Sequence, residues 1–316
     1  MNFNFVVIKM ISKLLIYKIL QLFSFMVIGF IITKLKIVKC NDSSVLSKIS
    51  LYLLMPAAIL NAFDFEQSQI IRNGLLLAFF SAIVIHIVLY ILDKLYGKYI
   101  CKNSVERASV MYSNAGNLII PIVSYVLGKE WVVFSTAFLS VQLFFIWSHG
   151  IRLFSSNEKF NFKKILLNIN IIAIVIGVLM MIFGLRLPTF LKDIVSPLGD
   201  MLGTVGMLIA GILAANINFK KVLSDKRIYR VTLTRVIIYP LIALFVLKLL
   251  SLIPIENSEK ILLITFLATI TPAAATVMQF AQLNNRDTEL ATAINIFTTL
   301  VCIITMPLYV TLYNCF

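Results

Sequence analysis

The chain has 316 residues, of which 60% are apolar and only 13% charged, and its mean hydropathy is +0.97. Soluble domains run at roughly 45–50% apolar and 25% charged, so this composition excludes a water-soluble fold and makes lipid the solvent. The formal charge of +14 would suit nucleic acid in a soluble protein. Here it sorts by loop, so anionic lipid at the cytoplasmic face is the expected partner and nucleic acid is not.

Apolar runs of about 18 or more residues can cross a hydrocarbon core about 30 Å thick, and they recur along the whole sequence. In chain order the predicted spans are Ile19 to Thr33, Val45 to Phe63, Asn73 to Leu92, Ala108 to Leu127, Val132 to Phe154, Ile165 to Gly184, Ile194 to Ala215, Val231 to Ser251, Ile261 to Ala281 and Leu290 to Leu312. Lys9, Lys13 and Lys18 before the first run imitate a secretory signal. Thr33-Lys34-Leu35-Lys36 follows without a small-residue cleavage site, so the run is read as a retained helix. Loops after spans 1, 3, 5, 7 and 9, counted with Lys48 and Arg152 at the adjoining span ends, hold eighteen Lys and Arg, against eight in the tails and other loops. The basic excess marks the cytoplasmic side and predicts a multi-pass protein of the cell membrane with both termini external.

Span 4 contains Tyr112-Ser113-Asn114-Ala115-Gly116-Asn117-Leu118-Ile119-Ile120-Pro121, and span 9 contains Ala268-Thr269-Ile270-Thr271-Pro272-Ala273-Ala274-Ala275-Thr276. Proline lacks an N–H and clashes with the preceding turn, while glycine tolerates unusual dihedrals. Gly116, Pro121 and Pro272 are therefore the expected helix breakers. Broken backbone at mid-depth survives only when packed in protein or lining a wet cavity, and two such breaks in matching places point to a transport site. Asn114, Asn117, Thr271, Thr276 and Gln279 are the expected substrate-binding residues, with Thr276 and Gln279 facing the cavity. Pro56, Pro240 and Pro307 are read as simple kinks.

The breaks lie 272 − 121 = 151 residues apart, and other spans pair at similar offsets. The expected fold is all-α, with ten transmembrane helices in two inverted five-helix repeats, residues 1–154 and 163–316, joined by a cytoplasmic connector at 155–162. Broken helices 4 and 9 cross near the midplane. Four half-helix ends would then meet, offering N–H groups to an anion and carbonyls to a cation.

Asp200, early in span 7, is either an interfacial cap or an intramembrane carboxylate with an ion or gating role. Gly199, Gly203, Gly206, Ala210 and Ala214 form a small-residue surface for close helix packing. His86 and His149 are expected to be structural groups, and Gln142 and Asn295 to bridge helices. Arg235 is read as an anchor snorkelling to the interface, with a substrate counter-charge as the alternative. Cys40, Cys101, Cys302 and Cys315 have no metal or disulfide spacing, and no cofactor is expected.

These residues resemble the auxin efflux carrier family, which includes plant PIN carriers and bacterial permeases. The resemblance rests on Gly29-Phe30, on Leu46 to Leu60 with its Leu-Met-Pro-Ala-Ala run, on Asn114 to Pro121, on Thr271-Pro272, on Ala291-Thr292-Ala293 and on Thr305-Met306-Pro307-Leu308. It implies an architecture like that of sodium/proton antiporters and bile-acid symporters, with a scaffold bundle, a mobile transport bundle and frequent dimerisation, so a homodimer is among the expectations. It also implies that Asn114 contacts a substrate carboxylate. Malate, malonate or an auxin-like acid is the implied substrate class, by analogy of fold. The long cytoplasmic loop of the plant carriers has no counterpart here.

The central spans show no clear acidic pair, which favours uniport or efflux of an anion over antiport. A negative interior drives anions outward with about 2.3 kcal/mol per charge per 100 mV. Sodium- or proton-coupled symport is the alternative mechanism. A membrane enzyme is not expected, since the chain has no H-E-x-x-H pair, no serine–histidine constellation and no acidic cluster for magnesium. A ligand-binding sensor without turnover and a channel remain the rival classes.

Overall fold

A backbone in hydrocarbon must pair its own N–H and C=O groups, and helices do so within one segment. The computed structural model describes residues 5–65, 69–99, 103–154, 163 and 166–315, and among them every regular element is helical. The first helices are α1 (Phe5–Lys34), α2 (Ser43–Ile49), α3 (Met55–Ala62), α4 (Gln69–Tyr99), α5 (Ser104–Met111), α6 (Ala115–Val126), α7 (Val132–Phe145) and α8 (Ile151–Phe154). They are followed by α9 (Ile169–Phe183), α10 (Thr189–Ala214), α11 (Phe219–Leu223), α12 (Lys226–Leu233), α13 (Tyr239–Leu250), α14 (Ser258–Thr269), α15 (Ala275–Leu283) and α16 (Thr288–Cys315).

Seven helical stretches among the described residues are long and apolar enough to cross a bilayer: Ile11–Lys34, Cys40–Ala62, Gly74–Leu95, Val132–Phe154, Thr189–Ala214, Lys226–Leu250 and Thr288–Cys315. Ile169–Phe183 is a shorter apolar helix, capped by Asn168, whose side chain accepts from the Asn170 N–H, and ended by left-handed Gly184. Two further apolar stretches are interrupted, between α5 and α6 and between α14 and α15. The first span reaches further back than its apolar run suggested, because α1 carries Lys13 and Lys18 on helical turns before Ile19. The expected connector at 155–162 lies outside the described residues, as does Cys101; Cys40, Cys302 and Cys315 are free thiols.

Three stretches widen into π-turns, at Ser50–Leu54, Ile146–Gly150 and Thr234–Ile238. Pro56 and Pro240 each follow a π-turn at the start of the next helix. The wider turn relieves the clash of the proline ring with the carbonyl four residues back. These two prolines therefore mark a change of helical register where simple kinks were expected.

Apolar side chains gain little by leaving lipid for protein, so close packing has to hold the helices together. α1 packs on α10, α10 on α3 and α3 on α9, while α4, α7 and α14 form a second group, with α16 touching both α1 and α15. The small-residue face of α10 works as expected at Gly199, and Gly211, outside that face, makes a second close approach. A Cβ on Gly199 would lie 2.9 Å from Ala58 Cα, and one on Gly211 would run into the backbone of Met26 and Phe30. Ion pairs gather at the helix ends. Asp64 pairs with Arg186 at 2.7 Å and Lys192 at 2.6 Å near one end; Asp93 pairs with Arg107 at 2.6 Å, and Glu106 with Arg230, near the other.

Candidate functional site

The two interruptions meet. Ser113 and Ala273 form an isolated antiparallel bridge, in which the Asn114 N–H donates to Pro272 O at 2.8 Å and the Ala274 N–H donates to Tyr112 O at 3.0 Å. Each broken strand thereby satisfies backbone groups of the other where no water is at hand. The break in the first stretch falls at Tyr112 to Asn114, earlier than expected. Gly116 and Pro121 lie inside regular α6, and Gly116 is absent from the positive-φ glycines, so its conformational freedom is not what opens the chain. Pro272 does lie within the second break, between the end of α14 and the start of α15.

Side chains from neighbouring helices complete the pairing. Gln142 of α7 accepts from the Ser113 N–H at 3.1 Å and from its hydroxyl at 2.5 Å, and donates to Ser113 O at 2.9 Å. Across the bridge, Asn295 of α16 donates to Ala273 O at 2.7 Å, and Thr298 accepts from the Ala273 N–H at 3.1 Å. The helix-bridging roles expected of Gln142 and Asn295 are thus backbone-pairing roles. Arg235 is not an interfacial anchor: it is 1% exposed. Its guanidinium donates to Thr269 O at 2.6 Å, to Thr271 O at 2.8 Å and to Val110 O at 3.1 Å. It belongs to the π-turn Thr234–Ile238, on whose buried face, with Thr234 and Val236, the long side chain turns inward to these carbonyls.

The helices that begin at the crossover, α6 and α15, open onto a cavity of about 70 Å³; about 10–15 Å³ of such space houses one water. Its polar lining comes from Ser50, Ser113, Asn114, Thr136, Ser140, Gln142, Thr276 and Gln279, and among the described residues no charged side chain lines it. Asn114 is 6% exposed, and its carboxamide makes no hydrogen bond to another described residue. Thr276 Oγ1 and Gln279 Oε1 are buried without a partner among the described residues, while Gln279 Nε2 donates to Ser50 Oγ at 3.1 Å. Gly116 also lines the cavity; a Cβ there would have only Leu139 near it, at 3.8 Å. Thr271 stands apart, fully buried, with its hydroxyl donating to Ala268 O at 3.0 Å. The side chains of Asn117 and Pro121 lie outside the described residues.

A second hollow, of about 220 Å³, shares Ala58, Ala62, Gly116, Ile120 and Leu202 with the first. Asn61, Asp64 and Asp200 line it. Asp200 is exposed, and Ser196, one turn earlier, donates to Asn61 Oδ1 at 2.6 Å. Burial would raise the Asp64 carboxyl, but hydrogen bonds from Arg186, Lys192 and the Leu187 N–H outweigh it and hold the group below the usual carboxylate range.

His149, expected to be a lone structural group, has a carboxylate neighbour. Its Nδ1 lies 2.8 Å from the Tyr112 hydroxyl, and its Nε2 lies 3.4 Å from Asp93. Tyr112 reaches this position because Gly150 leaves room: a Cβ there would be 3.0 Å from the ring. His86 keeps a structural role, with Nδ1 2.8 Å from Ala82 O and its ring stacked on Phe145. Prolines six residues after Ser50 and Thr234 were the sequence signal for two of the π-turns.

No curated protein matches the chain. The model of a family described as membrane transport protein matches residues 14–162 and 155–310. The chain therefore belongs to this family of membrane transport proteins, the one that includes the auxin efflux carriers.

Proposed function

We propose that the protein carries a small organic anion, a carboxylate in the class of malate, malonate or an auxin-like acid, across the cell membrane by alternating access, as a uniporter or efflux carrier. The observation that carries this reading is the pairing of two helix N-termini with an uncharged cavity. α6 and α15 both start at the crossover, each N-terminus presents about half a positive charge with free N–H groups, and among the described residues no carboxylate lines the space to repel an anion. Asn114 and Thr276 supply side-chain donors to the carboxylate, and Gln279 an acceptor for a substrate hydroxyl. In this reading the chain forms ten spans in two inverted halves. Helices α1, α3, α9 and α10 act as the scaffold against which the crossover group moves, and Asp200 lines the external approach.

The test is counterflow of labelled malonate and malate in liposomes containing the purified protein. A hydrogen bond to a charged group contributes about 1.5–3 kcal/mol, so Asn114→Ala should lower flux about ten- to a hundredfold with an unchanged unfolding midpoint. Unaltered flux in that variant removes the assigned site. Saturation and trans-stimulation separate a carrier from a channel, and binding without counterflow would identify a sensor. Proton-coupled symport is a second reading, favoured by the Asp93, His149 and Tyr112 chain of contacts that ends beside the crossover. An imposed pH gradient that drives uptake against the substrate gradient would select it.

A further inference from the structure

Arg235 is the largest fully buried cation of the described core, and no Asp or Glu among the described residues forms an ion pair with it. Burying an isolated charge is prohibitive, so something must balance it. Its partners are the Val110 carbonyl in the last turn of α5, the Thr269 carbonyl at the end of α14 and the Thr271 carbonyl in the second break. Each helix C-terminus carries about half an elementary negative charge, so two of them together match one cation. Broken helices of carriers present such half-helix ends and unwound carbonyls to coupling cations such as sodium.

We propose that the Arg235 guanidinium is a tethered cation that occupies the carbonyl cage at the crossover, so that this cage needs no metal ion and the carrier is independent of sodium there. Arg235 is a positioning residue. Its fixed charge joins the ends of α5 and α14, leaving the opposite, N-terminal ends of α6 and α15 to face the cavity. The inference deepens the proposed function by choosing among its coupling modes, and it rests on reading the crossover as the transport site.

The test reads thermal unfolding of the purified full chain in detergent, without substrate, in sodium chloride, choline chloride and added millimolar guanidinium at constant ionic strength. The wild type should unfold at the same temperature in sodium and choline. Arg235→Ala should unfold several degrees lower in choline and recover most of that loss with guanidinium, since a ligand binding only the native state raises its stability by mass action. Arg235→Lys should fall between the two. A saturable, sodium-specific rise in the wild type overturns the proposal, as does an Arg235→Ala protein that is destabilised but gains nothing from guanidinium or sodium. If Arg235→Ala does not fold, the wild-type sodium comparison and Arg235→Lys decide it alone, with equal midpoints for Lys and Arg counting against the proposal. Because no transport is measured, failure of the organic-anion reading leaves this result standing.

Discussion

The two breaks solve one backbone problem with different chemistry. At the first, a single neutral side chain, Gln142, pairs both the N–H and the C=O of Ser113. At the second, two helical neighbours divide the work on Ala273, with Asn295 on the carbonyl and Thr298 on the N–H, and a buried arginine collects the carbonyls left over. The extended residues of the first break thus depend on one neutral side chain, with Arg235 reaching only the Val110 carbonyl of the helix before it; the second is distributed and takes most of the arginine's hydrogen bonds. Matching backbone geometry does not require matching side chains.

That contrast orders the expected effects of substitution. Gln142→Leu orphans two buried backbone groups at about 1–3 kcal/mol each, so equilibrium unfolding should register a loss of about 2–6 kcal/mol, the largest of the series. A loss below that of Asn295→Leu would erase the distinction between the breaks. Asn295→Leu frees only the Ala273 carbonyl and should cost about 1–3 kcal/mol, with Thr298 still holding the N–H. Away from both breaks, Asp64→Asn should have the smallest effect, a modest drop in unfolding midpoint at neutral pH. Its carboxyl lies below the usual range in the folded state, so the stabilisation is present above the unfolded value of about 3.9. It disappears as pH falls through the lower folded value. The difference between Asp64→Asn and wild type should therefore close in acid, and a difference that persists there would mean the residue acts by packing instead of charge.

Local signals made the membrane class and both interruptions legible. Hydropathy reads spans directly, and Asn114, Pro272 and their neighbours announce a backbone that cannot stay helical. The position of the first break was less legible, because Gly116 and Pro121 are the conspicuous residues while the partners that hold the chain open are Gln142 and the second break. Pro121 falls within the span of α6, which begins at Ala115, so the break lies before it. Arg235 was illegible for a related reason. An arginine near the end of an apolar run ordinarily reaches for the interface, and only contacts with Val110, 125 positions away, and Thr271, 36 positions away, reveal a carbonyl cage. His149 likewise shows no carboxylate near it in sequence, since Asp93 comes to it across helices.

The exchange of hydrogen bonds between Asn114 and Pro272, and between Ala274 and Tyr112, acts as a rivet through both interrupted chains. Neither chain can be drawn aside without breaking a bond to its fellow, so α5, α6, α14 and α15 are held together at their ends. Beside them stands the α3 and α10 wall, where Gly199 lets Ala58 approach to near contact and a bulkier side chain would wedge those two helices apart.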